Sequence, residues 1–280
     1  MNGPVFILRG NIVYSKDQNE LNICEHGYLV CREGKVEGVY QTLPFRLGGN
    51  PIHDHGDCLI IPGLVDLHIH APQYSFRGLG MDMELLEWLE TNTFPEEAKY
   101  ESPEYARKAY QIFADNMRKS ATTRACIFGT VHREATLLLM DLMEKTGLDN
   151  MIGKVNMDRN CPDYIIEETE ESAGETLEWI KDVLHRKYKN TRPILTPRFT
   201  PSCTDELMEE LKKLQMRYGL PLQSHLSENP GEIAWVKELC PWAEFYGDAY
   251  DRFGLFGADC PTVMAHCVYS EETELALMKK

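Results

Sequence analysis

The sequence predicts an α/β protein built on parallel strands and preceded by a small β-sheet domain. Three observations carry this reading: β-rich runs dominate residues 1–59, apolar strands alternate with helical stretches from Leu59 onward, and polar residues recur at the ends of those later strands. In the first region the runs are 5–14, 27–31 and 35–40, separated by turn residues such as Glu33-Gly34-Lys35. Residues 1–59 are therefore expected to form a small β domain and residues 60–280 a parallel α/β sheet or barrel. In the larger part the strands are expected at 59–69, 122–129, 151–158, 192–199, 220–226 and 261–266. The spacing predicts helices over 83–91, 103–119, 134–146, 169–187, 204–218, 230–239 and from 271 to the last residue. Ser102-Pro103 and Ser202-Cys203-Thr204 offer helix start signals. The acidic run Glu167-Glu168-Thr169-Glu170-Glu171 reads as a solvated first helical turn, favoured by the helix dipole. Neither an internal repeat nor a low-complexity linker interrupts the pattern.

Composition narrows the function. A chain of 280 residues can bury a sizeable core. Lys and Arg number 29 against 44 Asp and Glu, and the formal charge of −15 disfavours nucleic acid and anionic membrane as partners, leaving a small neutral substrate unaffected. None of the nine cysteines has Cys-X-X-Cys spacing, and no charged-then-apolar leader is seen, so the expected setting is a reducing cytoplasm. No apolar run approaches the roughly 20 residues that cross a bilayer.

The chemistry is concentrated at strand ends. His68 and His70 close the run 60–70, and because side chains alternate along a strand, both imidazoles point the same way and can reach one ion. Imidazole is a common neutral donor for zinc and neighbouring metals. Arg198 closes the fourth expected strand, His225 and Glu228 follow the fifth, and His266 closes the sixth. Any one of these histidines alone would be read as a satisfied core residue. Their shared placement favours a metal, because the strand ends of a (β/α) barrel converge on one mouth. Without such placement, His26, His53, His55 and His185 read as surface groups, while His132, just after the second expected strand, stays a pocket candidate. Trp88, Trp179, Trp235 and Trp242 read as core or interface packing.

The stretch Pro-Gly-Leu-Val-Asp-Leu-His-Ile-His-Ala-Pro-Gln (62–73), Thr-Pro-Arg-Phe (196–199), Ser-His-Leu-Ser-Glu-Asn (224–229) and Met-Ala-His-Cys (264–267) resemble the amidohydrolase superfamily, and within it the guanine-deaminating aminohydrolases. Gln73-Tyr74-Ser75-Phe76, Leu86-Glu87-Trp88-Leu89 and Thr93-Phe94-Pro95 extend the likeness, which runs in order over essentially the whole chain. The resemblance implies hydrolytic deamination of guanine to xanthine and ammonia, in purine catabolism, by a homodimer. It implies a distorted (β/α)8 TIM-type barrel carrying a small β domain. It makes His68, His70 and His225 ligands of one zinc, or of ferrous iron in its place, with His266 in the fourth histidine position, contacting the bound water more than the metal. Glu228 matches the proton-shuttling carboxylate, Gln73 and Arg198 the guanine-recognition positions, and Phe199 a residue that stacks on the base.

Each role has a plainer alternative: Gln73 as a solvated loop residue, Arg198 as an inter-element ion pair, Glu228 as a cap of the helix at Pro230. Such barrels have eight strands, whereas about six are expected here. The family's metal-binding aspartate, at the end of the eighth strand, would fall in the missing part, so a fragment or truncated isoform is expected. Two alternatives to a guanine deaminase follow: a related amino-heterocycle deaminase, or a non-enzymatic scaffold that keeps the architecture. The His-X-Glu with Pro-Cys-X-X-Cys pattern of the other zinc deaminases is absent.

Overall fold

The computed structural model describes residues 4–280, which form two compact units meeting in sequence at Gly63 and Leu64. The first unit is a four-stranded sheet of β1 (Val5–Ser15), β2 (Leu21–Arg32), β3 (Lys35–Tyr40) and β4 (Ile52–Ile60), in the order β3-β2-β1-β4. β1 runs antiparallel to β2 and β2 to β3, whereas β4 lies parallel to β1. The turn between β2 and β3 places Glu33 at φ 52° and Gly34 at φ 75°, the two positive values that a twist-matched two-residue hairpin turn requires. Ile7, Val30 and Leu47 form its small core.

The expected strand 59–69 is divided. Ile60 ends β4 in the first unit, and β5 (Leu64–His70) opens the second. Pro62 has no N–H to give a ladder and fixes its own φ, so a continuous strand fails there. The strand of residues 52–58 is also new, since its polar, histidine-rich run carries little strand signal.

The second unit alternates strands and helices. β5 is followed by α1 (Leu85–Trp88), α2 (Phe94–Ala98) and α3 (Pro103–Lys119); then come β6 (Thr122–Phe128) with α4 (Arg133–Glu144), and β7 (Asp149–Gly153) and β8 (Val155–Asn156) with α5 (Thr169–Arg186). β9 (Thr191–Pro193) and β10 (Thr196–Pro197) lead to α6 (Asp205–Tyr218), β11 (Leu222–Leu226) to α7 (Pro230–Leu239) and α8 (Asp248–Asp251), and β12 (Thr262–His266) to α9 (Glu272–Met278). Every pairing in this unit is parallel: β5-β6-β7-β9, β8 with β10, and β11 with β12, with a bridge from Leu195 to Leu222 joining the later strands. All strands thus end on the same side, as in the α/β fold of barrel type. Gly153 allows the break between β7 and β8, because a Cβ there would lie 1.8 Å from Thr196 Oγ1.

Helices cover the strands through amphipathic faces. α3 buries Ala106, Tyr110, Phe113, Ala114 and Met117 at three- to four-residue spacing, begins at Pro103, and is capped by the Ser102 hydroxyl accepting from Tyr105 N–H. α5 contributes the fully buried Trp179, and burying a large apolar side chain of this kind contributes about 1.5–3 kcal/mol. Two local readings change. The helix expected over 83–91 is α1, a π turn over Leu89–Thr93 and α2, with Phe94 N–H reaching back to Leu89 O; an inserted residue of this kind often marks a functional site. Glu167 is no solvated helix residue: it pairs at 2.6 Å with Lys154, whose side chain is wholly buried. α8 has no clear signal in the sequence.

Candidate metal and substrate site

The parallel strands deliver their last side chains to one rim. His68 and His70 leave β5 on the same face, His225 leaves β11, and His266 closes β12 in register with Leu226. One nitrogen from each of His68, His70 and His225 lies within 4.8 Å of the others; His225, Glu228 and His266 form a second, overlapping group. The His68 ring centroid is 4.9 Å from that of His70 and 4.8 Å from those of His225 and His266. Phe128, at the end of β6, stacks on His70 at 4.4 Å and closes the floor.

The protons on these rings can be assigned from chemistry. His225 Nδ1 lies 2.6 Å from the Arg198 carbonyl oxygen, which can only accept, so Nδ1 carries the hydrogen and Nε2 keeps a lone pair. That Nε2 lies 3.0 Å from His70 Nε2. Burial drives the His68 pKa down to about 3 and those of His70 and His225 far below the usual imidazole range, so all three stay neutral donors. The buried Nδ1 atoms of His68 and His70 have no hydrogen-bond partner among the described residues. Converging neutral nitrogens, with a carbonyl fixing one tautomer from behind, fit a divalent metal.

Backbone strain sits at the same rim. Ser227, His266 and Cys267 have φ values of 48°, 73° and 54°, a left-handed region costly for residues other than glycine. It is held by Ser227 Oγ donating to Glu274 Oε2 at 3.0 Å and by Cys267 N–H donating to Leu226 O at 2.8 Å. Glu228, next in the chain, lies 3.3 Å from His266 Nε2. Burial, reinforced by the nearby Glu232 carboxylate, raises its pKa to about 7. Glu228 does not cap α7; Asn229 does, in a capping box with Glu232.

A cavity of about 120 Å³ adjoins the imidazoles, and Gln73, Arg198, Phe199 and Glu228 line it with all four histidines. Arg198 is both a wall residue and the ion pair of its plainer alternative, with Nη1 2.8 Å from Glu97 Oε2. Gln73 lies on the turn Pro72–Phe76, half-buried rather than solvated, its Nε2 3.4 Å from Glu97 Oε1. Leu85, Trp88 and Leu89 complete the lining; Trp88 also packs, as expected, against the buried cluster of Leu89, Phe94 and Phe199. Trp179 is core, Trp235 packs against Phe199, and Trp242 is partly exposed beneath Arg252.

His132 lies elsewhere. It precedes α4, accepts Thr136 N–H at its carbonyl oxygen, and borders a separate cavity of about 730 Å³. That cavity is larger, but Arg133 is already paired with Glu175 and Asp182, and Arg186 with Asp141, which leaves little unspent chemistry there. His53, His55 and His185 are exposed, as their placement suggested. Glu97 was missed by sequence reasoning; its only signal is its place two residues past the quoted Thr93-Phe94-Pro95.

Comparison with known proteins agrees with this geometry. The description of the amidohydrolase family, whose members are metal-dependent, matches residues 59–280. Mouse (Mus musculus) guanine deaminase is 44% identical over 279 residues, covering 99% of this chain and 59% of that protein, and the Escherichia coli K12 guanine deaminase is 38% identical over 260 residues, covering 91% and 58%. A crystal structure of guanine deaminase from C. acetobutylicum with guanine bound in the active site superimposes with a TM-score of 0.94 at 46% identity, covering 98% of this chain and 65% of that one. The chain thus spans less than two thirds of the length of these relatives. With the family description matching well over half of its residues and the fold superimposing closely, the chain belongs to the amidohydrolase family.

Proposed function

We propose that the chain carries the catalytic site of a guanine aminohydrolase, converting guanine and water to xanthine and ammonia. The observation that carries this is the pairing of the imidazole cluster with a small cavity whose wall offers an amide and a guanidinium, Gln73 and Arg198. Similarity to guanine deaminases from mouse and E. coli supports the choice of substrate.

In this reading His68, His70 and His225 hold the metal, zinc or ferrous iron in its place, with His266 beside them. When bound, such a metal lowers the pKa of water towards neutrality and polarises the bond under attack. The remaining work falls to side chains. Arg198 donates to acceptor atoms of the purine and Gln73 hydrogen-bonds its neighbouring edge, so that the reacting carbon faces the imidazoles. Phe199, buried at the cavity wall, packs on the base and excludes water. Glu228, with a pKa raised to about 7, is poised to take a proton from the attacking water and deliver it to the departing amine. His266 Nε2, 3.3 Å from Glu228 Oε2, holds that carboxylate in place. A homodimer acting in purine catabolism is the setting the resemblance implies, and the cysteine pattern adds the expectation of a reducing cytoplasm.

Ammonia release from guanine, adenine, cytosine and triazines, measured on the full chain alongside metal analysis of the same preparation, tests this. Guanine should be turned over in preference to the rest. A metal-loaded chain that prefers another amino-heterocycle, or acts on none, would overturn the assignment.

A further inference from the structure

We propose that Glu97 is a positioning residue that sets the hydrogen-bond polarity of the substrate wall, holding Arg198 with one carboxylate oxygen and orienting the Gln73 amide with the other. The inference rests on the reading of Gln73 and Arg198 as purine-recognising residues.

Glu97 lies on α2 with no exposed surface, and the charged group of Arg198 is equally enclosed. Its Oε2 accepts from Arg198 Nη1 at 2.8 Å, its Oε1 from Gln73 Nε2 at 3.4 Å. The three residues come from three places in the chain, the turn after β5, the helix following the π turn, and the end of β10. One buried carboxylate therefore fixes two wall residues that have no local reason to be aligned.

The chemistry of the groups dictates what the wall then presents. An ionised carboxylate only accepts, so the Gln73 amide must turn its NH2 towards Glu97. Its carbonyl oxygen, on the other side of the amide carbon, is left as the acceptor available to the cavity. Arg198 can only donate. The wall thus offers an acceptor from Gln73 and donors from Arg198, and the guanidinium charge is cancelled by its partner, which suits a neutral base. Guanine presents a donor at N1–H beside an acceptor at O6. Adenine presents the reverse along that edge, an acceptor at N1 beside a donor amine, and is mismatched. With glutamine at position 97 the constraint disappears: an amide can donate as well as accept, and the Gln73 amide is free to turn over.

Equilibrium dialysis of radiolabelled guanine and adenine against the full chain, with Glu228→Gln present in every sample so that guanine is not consumed and with metal content measured in parallel, tests this; wild type here means Glu at position 97. The wild type should prefer guanine. Glu97→Gln should lower the guanine-to-adenine affinity ratio about tenfold or more, with metal content unchanged. A purely structural role would weaken both bases alike and leave the ratio where it was. Glu97→Asp withdraws the carboxylate by about one carbon–carbon bond, so it cannot reach both partners; its ratio should fall in the same direction by less, and it serves if the glutamine variant does not fold. A wild-type preference for guanine that both variants retain in full would overturn the role of Glu97 alone. A wild type without that preference would remove the purine-wall reading and this inference together.

Discussion

Replacing Tyr250 by Phe deletes one oxygen, yet three hydrogen bonds at the back of the site depend on it. Tyr250, on α8, is completely buried. Its hydroxyl accepts from Thr200 N–H at 3.1 Å, donates to the His225 carbonyl at 2.9 Å and lies 2.9 Å from Ser224 Oγ. Ser224 keeps a partner without it, since its Oγ also reaches Pro197 O at 2.6 Å. The Thr200 N–H and the His225 carbonyl lose this partner. A buried backbone group stranded in this way costs about 1–3 kcal/mol, so the variant should lose about 2–6 kcal/mol. For a unit of this size that corresponds to a midpoint lower by roughly 4–24 °C. Scanning calorimetry should show the drop, and urea titration should show a lower midpoint with an unchanged slope. Because the hydroxyl anchors the strand end that presents His225, metal should also bind about tenfold more weakly. A loss below about 1 kcal/mol with unaltered metal affinity would refute the idea that this hydroxyl braces the site.

Three further changes separate the roles of neighbouring groups. Glu228→Gln should retain metal while ammonia release from guanine falls by about a hundredfold or more; a fully active variant would remove the proton shuttle. Arg198→Ala should weaken guanine binding far more than metal binding, and by leaving the Glu97 carboxylate unpaired in the interior it should cost about 3–5 kcal/mol of stability, measurable by denaturant titration. Glu167→Gln should destabilise by a similar amount, because the buried Lys154 ammonium loses its counter-charge and is left with neutral oxygens alone, the new amide's and the Val155 carbonyl's at 3.2 Å, whereas the double change Lys154→Met with Glu167→Leu should recover most of that loss.

What was legible in the sequence is what local periodicity encodes. The two-residue spacing of His68 and His70 places both imidazoles on one strand face, and the matching positions of His225 and His266 follow from strands that all run the same way. α3 was legible because Ser102 and Pro103 mark its start and its apolar residues repeat at helical spacing. What was not legible depends on partners distant in the chain. Arg198 and Glu97 meet across 101 residues, so nothing near either position announces the pair. Glu167 looks like a solvated acid until Lys154 is found beneath it. Trp88 packs as read, but its further place on the cavity wall was not legible, because the π turn that carries Leu89 to the cavity has no sequence rule of its own. His132, a pocket candidate because it follows a strand end, does border a cavity, but one separate from the imidazole cluster.

Imidazoles from separate strands that share one cation have a spectroscopic signature, which the X-ray absorption spectrum of the full chain reconstituted with zinc would show. Nitrogen donors are expected at about 2.0–2.1 Å with imidazole scattering, and one imidazole should disappear in His225→Ala. A zinc environment of oxygen or sulfur alone, or a spectrum that His225→Ala leaves unchanged, would contradict the shared site.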